Sequence, residues 1–231
     1  MDIPVFFLDA NAAADIITLN EDTSKHVIQV LRMKTNERLQ LTDGAGNLLT
    51  AQIIDEHKKK CTVKIIERQS VARKQQEVCI AISLLKNPSR FEWFLEKATE
   101  IGVTEIIPLV CERTEKQHFR FERMKQILVS AMMQSKQAWL PVLLEPTLFS
   151  KVVSASKYRS NLIAHCEEEM KTSIADFRKQ PSVQILIGPE GDFTAGEIAA
   201  ALDRKYRPVT LGETRLRTET AGVVAAASLC L

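Results

Sequence analysis

The sequence lacks the short motifs that mark the common nucleotide-binding and metal-binding enzymes. No G-x-G-x-x-G follows a predicted strand and no G-x-x-x-x-G-K-[ST] occurs, which argues against a Rossmann dinucleotide site and a P-loop. The five cysteines include no C-x-x-C pair and the four histidines have no metal-ligand spacing. We therefore expect neither a disulfide framework nor a bound metal. No G-x-S-x-G elbow is present, which argues against an α/β-hydrolase.

The chain also lacks long apolar runs and a large excess of charge of one sign. No run of about 18 apolar residues occurs and no basic segment opens the chain, so we expect no membrane span and no signal peptide. The scattered cysteines fit a reducing cytoplasm, which is the expected location. The 231 residues carry a net charge of +2, and 45% are hydrophobic, as in ordinary globular proteins. This balance does not by itself indicate nucleic acid.

Basic residues are nevertheless concentrated in two segments. Residues 204–217 contain five Lys and Arg against one acid, Glu213, and they flank a glycine loop, which favours an anion or RNA contact there. Residues 113–136 are also rich in Lys and Arg, including Lys116. For this second segment, solvated helix faces and an RNA contact fit the pattern equally well, and both interpretations stay open.

The first 70 residues show the partial alternation and turn chemistry of a small β-module. Residues 43–47 (D-G-A-G-N) favour a hairpin, a short helix is predicted over 24–32 with Ser24 as its cap, and residues 68–77 have the composition of a polar linker. The predicted strands cover residues 5–8, 38–43, 47–55 and 61–67. These features predict a barrel-like module.

Beyond residue 77, strands and helices alternate, which predicts a mostly parallel sheet. Predicted strands cover residues 78–86, 104–110, 161–165, 183–188 and 208–212; predicted helices cover 89–101, 120–138, 195–205 and 218–231. Two S/T-x-x-E capping boxes, Ser89 with Glu92 and Thr194 with Glu197, are expected to begin helices, and Gly102 is placed to end the first of them.

Three consecutive predicted strands in this half end in loops whose residues are suited to ligand contacts. The loops cover residues 165–168, 188–192 and 212–218. Ligands of parallel sheets bind beyond the carboxyl ends of the strands, so we expect one pocket where these loops meet. His165 lies at such a strand end and is therefore the histidine best placed for a ligand contact.

The loop at residues 188–191, G-P-E-G, combines two glycines with a proline and a carboxylate. This combination suggests a backbone shaped to contact a ligand. Further on, Arg217 stands at the entrance of an Ala-rich helix, where it can meet a phosphate or a developing oxyanion. A purely structural interpretation is that Thr218 caps this helix and Glu219 complements its dipole.

Four parts of the chain, in order, carry a family resemblance. They are H-V-I-Q-V-L-R-M-K (26–34), residues 89–114, Q-S-K-Q-A-W-L-P (134–141), and L-I-G-P-E-G-D-F-T-A-G-E-I (186–198) followed by L-G-E-T-R-L-R-T-E-T-A (211–221). Together they resemble the bacterial 16S rRNA uridine-N3 methyltransferases, which belong to the SPOUT superfamily of knotted methyltransferases. The resemblance covers nearly the whole chain.

This resemblance implies an α/β fold class with a small PUA-like β-barrel domain over residues 1–70. A SPOUT α/β methyltransferase domain follows over 71–231, with a C-terminal segment that threads a trefoil knot. The resemblance also implies S-adenosylmethionine as cofactor, a homodimer, and a uridine in the decoding region of 16S rRNA of the small ribosomal subunit as target. Two positions depart from the family pattern: Asp192 replaces a common third glycine, and Met133 replaces a usual acid.

Roles for individual residues are predicted from this resemblance together with the positions described above. Arg217 is expected to meet the uracil oxygen or a flanking phosphate, and Glu219 or Glu190 is expected to orient Arg217 or accept the N3 proton. The expected cofactor contacts are His165, Ile187, Gly188, Pro189, Glu190, Gly191, Leu211, Gly212, Leu216, Thr220 and Ala221. The expected RNA contacts are Arg32, Lys34, Arg90, Gln134 and Lys136.

Three alternatives to this function stay open at the level of sequence. The first keeps the superfamily but changes the target to a ribose 2′-oxygen or guanine N1. The second is a non-enzymatic RNA-binding assembly factor with the same fold, which binding of S-adenosylmethionine would distinguish. The third is an α/β protein that binds another small ligand.

Overall fold

The computed structural model describes residues 3–9, 12–115, 118–167 and 170–231. Lys116 and Glu168, which belong to a basic segment and a loop predicted above, lie outside these ranges. The chain divides into two compact units, Met1–Arg73 with Met132–Leu140, and Lys74–Ala131 with Pro141–Leu231. The segment Met132–Leu140, which the sequence assigned to the second domain, groups with the first unit. No helix in the described part of the chain has the length and hydropathy that a membrane crossing requires.

The first unit is built on a mainly antiparallel sheet. Its elements are β1 (Val5–Phe7), β2 (Ile16–Thr18), α1 (Glu21–Lys25) with a π-helical segment directly after it (His26–Val30), β3 (Arg38–Thr42), β4 (Asn47–Asp55) and β5 (Thr62–Ser70). The strand order is β1-β3-β4-β5-β2, with β1 parallel to β3 and the other pairs antiparallel. Leu39, Leu41 and Ile53 point into its core and are fully buried, as two-residue alternation requires. The predicted β-module is confirmed, although β5 runs through Ser70 into the expected linker.

The hairpin between β3 and β4 explains why residues 132–140 belong to this unit. The N–H of Leu140 donates to the carbonyl oxygen of Gly44 at 2.8 Å. Gly46 has a φ of +94°, and the ring of Trp139 lies against it where a side chain would otherwise project. Glycine is required at this position by both the backbone conformation and the close ring.

The predicted helix start at Ser24 is wrong, because a better cap lies upstream. The Oδ1 atom of Asn20 accepts a hydrogen bond from the N–H of Thr23 at 2.8 Å, so α1 begins at Glu21. Ser24 is instead buried. Its hydroxyl donates to the carbonyl oxygen of Leu19 at 3.1 Å and accepts from the N–H of Cys61 at 3.0 Å.

The remainder of the chain forms a parallel sheet with helices. Its elements are β6 (Glu77–Ser83), α2 (Pro88–Ile101), β7 (Glu105–Val110), α3 (Phe121–Gln134), β8 (Val142–Leu143), β9 (Thr147–Leu148), α4 (Phe149–Ser154), β10 (Ser160–Ala164), β11 (Thr172–Ser173), β12 (Ser182–Ile187), α5 (Ala195–Asp203), β13 (Arg207–Thr210) and α6 (Thr218–Cys230). The strand order is β11-β13-β10-β12-β6-β7-β8, and β9 also pairs with β7. Strands β6 and β12 are buried along nearly their whole length, as expected of parallel strands covered on both faces. The predicted parallel α/β arrangement is confirmed.

Two predicted helix signals are confirmed. The hydroxyl of Thr194 accepts from the N–H of Glu197, and the Glu197 carboxylate accepts from the N–H of Thr194, so a reciprocal capping box begins α5. Gly102 ends α2 with a φ of +98° and donates its N–H to the carbonyl oxygen of Ala98.

The predicted capping box at Ser89 and Glu92 is wrong. Asn87 caps α2 instead, with its side-chain oxygen accepting from the N–H of Ser89 at 3.0 Å. Pro88 takes the first helical position, where its missing N–H costs nothing. Glu92 is thereby free to accept two hydrogen bonds from Arg123 of α3, at 2.5 and 2.8 Å.

Helix α6 packs closely against α2 and β6. A Cβ atom at Gly222 would lie 2.7 Å from Cε2 of Phe94 and 2.8 Å from Cδ1 of Ile82, closer than side chains approach in proteins. The absence of a side chain at Gly222 therefore sets the distance between α6 and its neighbours. The trefoil knot stays a prediction.

Candidate active site

A cavity of about 730 Å³ lies beyond the carboxyl ends of β10, β12 and β13. Its walls comprise Arg90, Lys171, Asp192, Ala221 and residues 164–166, 187–190 and 209–218. The loops expected to converge thus meet at one cavity. Its volume is in the range of about 300–1,000 Å³ that accommodates small organic ligands.

Most of the predicted cofactor contacts line this cavity. They are His165, Ile187, Gly188, Pro189, Glu190, Leu211, Gly212, Leu216 and Ala221, and the predicted catalytic Arg217 joins them. Gly191, Thr220 and Glu219 lie next to lining residues in sequence but do not themselves form the wall. Gly212 has a φ of +141°, a conformation that favours glycine.

The G-P-E-G loop after β12 is fixed by groups outside the loop. The buried Thr218 hydroxyl of α6 donates to the carbonyl oxygen of Gly188 at 3.0 Å. The guanidinium of Arg113 donates from Nη1 to the carbonyl oxygen of Gly191 at 2.6 Å. A Cβ atom at Gly188 would lie 3.1 Å from the Phe193 ring, so a larger residue would require the ring to shift by a few tenths of an ångström. Glycine here permits close packing under a firmly held backbone.

Asp192 connects this loop to the neighbouring wall. Its Oδ2 accepts from the N–H of Cys166 at 2.7 Å, and its Oδ1 accepts from the N–H of Phe193 at 2.8 Å. The Nζ of Lys171 donates to the carbonyl oxygen of His165 at 2.8 Å, so a second charged side chain holds the wall formed by residues 164–166. Burial raises the pKa of the Cys166 thiol, and the charge of Asp192 raises it further.

The charged groups at the entrance to α6 have different environments. Glu219 is buried, and its Oε1 lies 3.7 Å from Nε of Arg90, a cavity residue. Its Oε2 has no hydrogen-bond partner within the described residues. Arg217 is exposed at the N-cap of α6. Glu190 is also exposed, and its Oε1 accepts from the N–H of Lys86 at 3.4 Å. The cation that neighbours Glu219 is therefore Arg90.

The suggested capping role of Thr218 is wrong, and two arginines of the second basic segment have specific partners. Thr218 does not cap α6, because its hydroxyl is committed to Gly188. In the basic segment, Arg113 holds the G-P-E-G loop and Arg123 binds Glu92 of α2. At least these two arginines serve the fold.

The predicted RNA contacts lie in both units. Arg32, Lys34, Gln134 and Lys136 are exposed residues of the first unit, and Arg90 belongs to the second. Arg32 and Lys136 have φ values of +56° and +55°, in the left-handed region. Such conformations in residues other than glycine cost energy and are often found at functional positions.

Sequence reasoning missed Arg113 and Lys171. Arg113 follows β7, whose carboxyl end is at the same edge of the sheet as the cavity, and this position was the available signal. Lys171 also donates to the carbonyl oxygen of Glu167 at 2.6 Å, but no pattern in the sequence indicates that contact.

Comparisons with known proteins fit this architecture. A family profile described as an RNA methyltransferase domain matches residues 72–230, and one described as an RNA methyltransferase PUA domain matches residues 19–66. The chain is 30% identical over 223 residues to ribosomal RNA small subunit methyltransferase E of Synechocystis, covering 92% of this chain and 72% of that protein.

Two solved structures are similar along almost their whole length. A probable rRNA-methyltransferase from Porphyromonas gingivalis is 38% identical, with a TM-score of 0.91 and coverage of 99% of this chain and 98% of that one. Ribosomal RNA small subunit methyltransferase E from Neisseria gonorrhoeae, bound to S-adenosyl methionine, is 27% identical, with a TM-score of 0.88 and coverage of 99% and 97%.

The fold and the matched domains define an RNA methyltransferase with an N-terminal PUA domain. Within that class, the chain belongs to the ribosomal RNA small subunit methyltransferase E family. The expected PUA-like module and the methyltransferase class are thereby confirmed.

Proposed function

We propose that this protein transfers a methyl group from S-adenosylmethionine to N3 of a uridine in the decoding region of 16S rRNA. The observation that carries this proposal is the cavity of about 730 Å³ at the meeting point of the loops after β10, β12 and β13. The cofactor bound to the Neisseria relative supports S-adenosylmethionine as the occupant. Family membership supports ribosomal RNA of the small subunit as the substrate.

The cavity wall suits a nucleoside cofactor. Ile187, Leu211 and Leu216 offer apolar contacts for an adenine ring, and the backbone of the glycine-containing loops offers hydrogen bonds to its edge. When bound there, S-adenosylmethionine supplies a methyl group whose bond to sulfur breaks as the bond to uracil N3 forms. Fixing the loop backbone aligns the reactants, and alignment can contribute on the order of 7–11 kcal/mol to catalysis.

Uridine N3 carries a proton that must leave as the new bond forms. Arg217, exposed at the cavity, is placed to stabilise negative charge on a uracil oxygen or to bind a flanking phosphate. Glu219 is one candidate for the proton acceptor, because its buried Oε2 lacks a hydrogen-bond partner within the described residues and its Oε1 lies 3.7 Å from Nε of Arg90 in the cavity wall. Glu190 is the other candidate, and its oxygen is already engaged by the N–H of Lys86.

RNA binding is proposed to involve Arg32, Lys34, Gln134 and Lys136 of the first unit, together with Arg90 of the second. Residues 1–70 contain nine Lys and Arg against ten Asp and Glu, so this part of the chain is not a general polyanion binder. We expect local contacts that depend on RNA shape. The dependence of RNA affinity on salt should then correspond to only a few phosphates.

A homodimer is also part of the proposal. From Ala221 onward, helix α6 is apolar on most of its surface, yet Val223, Val224 and Ala227 are only half-buried. A helix with this composition is normally buried, which supports coverage by a second copy. Light scattering should give twice the 26.0 kDa chain mass, and Val224→Asp should shift it toward the monomer. A monomeric wild-type protein at micromolar concentration would contradict this part.

Metal independence and a cytoplasmic location are the remaining predictions. All five cysteines are free, which supports a reducing compartment. Treatment with a strong chelator should leave the transfer rate unchanged. Restoration of the rate by one added divalent metal, after loss on chelation, would contradict metal independence.

The proposal is tested by a methyl-transfer assay. Labelled S-adenosylmethionine is mixed with the protein and with small ribosomal subunits, or naked 16S rRNA, from a strain that lacks this protein. Mass analysis of the nucleosides should detect 3-methyluridine. Transfer to another nucleoside would keep the cofactor and overturn the substrate. Tight RNA binding without transfer or cofactor binding would favour the assembly-factor alternative.

A further inference from the structure

Asp192 occupies a backbone position that glycine adopts more readily than any other residue. Its φ is +62°, in the left-handed region, where residues with a Cβ atom pay an energetic cost. Aspartate adopts this conformation more readily than most residues with a Cβ atom, because its short side chain can form local hydrogen bonds that glycine cannot. The carboxylate of Asp192 accepts two hydrogen bonds.

Both hydrogen bonds are short and charge-assisted. Oδ2 lies 2.7 Å from the nitrogen of Cys166, and Oδ1 lies 2.8 Å from the nitrogen of Phe193. Bonds from N–H groups to a carboxylate at these distances are roughly twice as strong as neutral ones. The first bond spans 26 residues of sequence, so it joins two separate loops.

The two loops follow neighbouring strands of the sheet. Strands β10 and β12 are paired, with Ala164 opposite Ile187 at their carboxyl ends. Cys166 lies two residues beyond the end of β10, and Asp192 lies five beyond the end of β12. Residues 164–166 and 187–190 form two walls of the cavity, and Asp192 lines it as well. The carboxylate therefore bridges two walls of the cavity.

We propose that Asp192 is a positioning residue that holds these two walls at the separation the cofactor requires. The inference rests on the proposed function, because S-adenosylmethionine is the ligand that it concerns. Without the carboxylate, the N–H of Cys166 loses this partner and the wall loses one of its restraints, while Lys171 still donates to the carbonyl oxygens of His165 and Glu167. Cofactor binding must then order the wall, which weakens affinity without removing any cofactor contact.

The experiment compares Asp192→Gly with Lys205→Gly. Glycine keeps the left-handed backbone in both variants, because Lys205 has a φ of +64° and lies outside the cavity wall. Calorimetric titration with S-adenosylmethionine should show about a tenfold higher Kd for Asp192→Gly and no change for Lys205→Gly. Asp192→Asn, which can accept only one of the two bonds with its single side-chain oxygen, should fall between wild type and Asp192→Gly.

A second readout reports the wall itself. Hydrogen exchange of the Cys166 amide should be faster in ligand-free Asp192→Gly than in wild type, and saturating cofactor should restore much of the protection. RNA affinity and the rate at saturating cofactor should change less than the cofactor Kd. A change in cofactor Kd that exceeds the changes in RNA affinity and saturated rate indicates a positioning role, whereas a general loss of fold would affect all three.

Each outcome has a defined meaning. Equal cofactor affinity in Asp192→Gly and wild type would overturn the inference, and so would an equal loss in Lys205→Gly. If wild type itself fails to bind S-adenosylmethionine, the proposed function falls, whereas the exchange of the Cys166 amide still tests the bridge. If Asp192→Gly does not fold, the Asp192→Asn affinity and exchange decide, and wild-type values for both would overturn the bridge.

Discussion

The hydroxyl of Thr218 and the carbonyl oxygen of Gly188 are joined by a 3.0 Å hydrogen bond across 30 residues of sequence. Both residues are buried. The bond attaches the first turn of α6 to the first residue after β12, so the helix and the G-P-E-G loop have a fixed relation. A buried carbonyl that loses its donor pays a desolvation penalty.

Replacing Thr218 by Val should therefore destabilise the protein while preserving the side-chain shape. We expect a loss of about 1–3 kcal/mol in the free energy of unfolding, because the carbonyl oxygen of Gly188 is left without its donor. Thr218→Ser retains the hydroxyl and should stay close to wild type. Denaturant titrations followed by circular dichroism measure both. Equal stability of Thr218→Val and wild type would show that water replaces the bond.

Adding one methyl group should have opposite effects at two helical glycines. At Gly222 the new Cβ would lie 2.7 Å from the Phe94 ring, so Gly222→Ala should cost about 1–3 kcal/mol through overpacking. At Gly196 in α5 the nearest atom would be 3.9 Å away, so Gly196→Ala should be neutral or stabilise by about 0.4–1 kcal/mol. Thermal unfolding of both variants measures the contrast. Similar melting temperatures would contradict the packing argument.

Arg217 should contribute to the reaction and little to the fold, since it is exposed and does not cap α6 with its side chain. Arg217→Ala should reduce methyl transfer at saturating substrates by about 10²–10³-fold, the usual effect of removing a group that stabilises developing charge. The melting temperature should stay near that of wild type. Full transfer by Arg217→Ala, with normal RNA binding, would remove this residue from the mechanism.

The two candidate proton acceptors can be separated by matched amide variants. Glu219→Gln keeps the size of the buried side chain and should lower the transfer rate by about 10²–10⁴-fold if this group accepts the N3 proton. Glu190→Gln should then have a much smaller effect. Single-turnover rates with bound cofactor measure the chemical step directly. A large loss in Glu190→Gln alone would reverse the assignment.

Cys166 should react slowly for an exposed thiol. Partial burial of the sulfur and then the charge of Asp192 raise its pKa, so less thiolate is present at a given pH than in a free cysteine. Alkylation rates measured against pH should give a midpoint above the ordinary value, and Asp192→Asn should lower that midpoint. Cys230, with a pKa raised by burial to about 11, is the internal control and should not respond to Asp192→Asn. An unchanged Cys166 midpoint in the variant would exclude the charge effect.

Much of the fold was accessible from sequence because its signals are local. Apolar runs located the buried parallel strands, and Thr194 with Glu197 located the start of α5. The errors arose where two local signals competed. Ser89 has the capping pattern, but Asn87 followed by Pro88 is the stronger start, because proline is already in the helical conformation.

The position of the site could be predicted from the sequence, but the contacts that hold its loops in place could not. Strand ends located the loops, since ligands gather at that edge of a parallel sheet. The contacts that hold these loops join residues far apart in sequence, such as Arg113 with Gly191. No periodicity encodes such pairs. The association of residues 132–140 with the first unit was missed for the same reason.

The fixation of the G-P-E-G loop has a consequence for the order in which the protein matures. Its restraints come from Lys86, Arg113 and finally Thr218. During synthesis from the N-terminus, the sheet strands through β12 can pair before the last restraint exists. The ligand pocket is therefore completed only after Thr218 has left the ribosomal exit tunnel, so a nascent chain can be largely folded and still be unable to bind its cofactor.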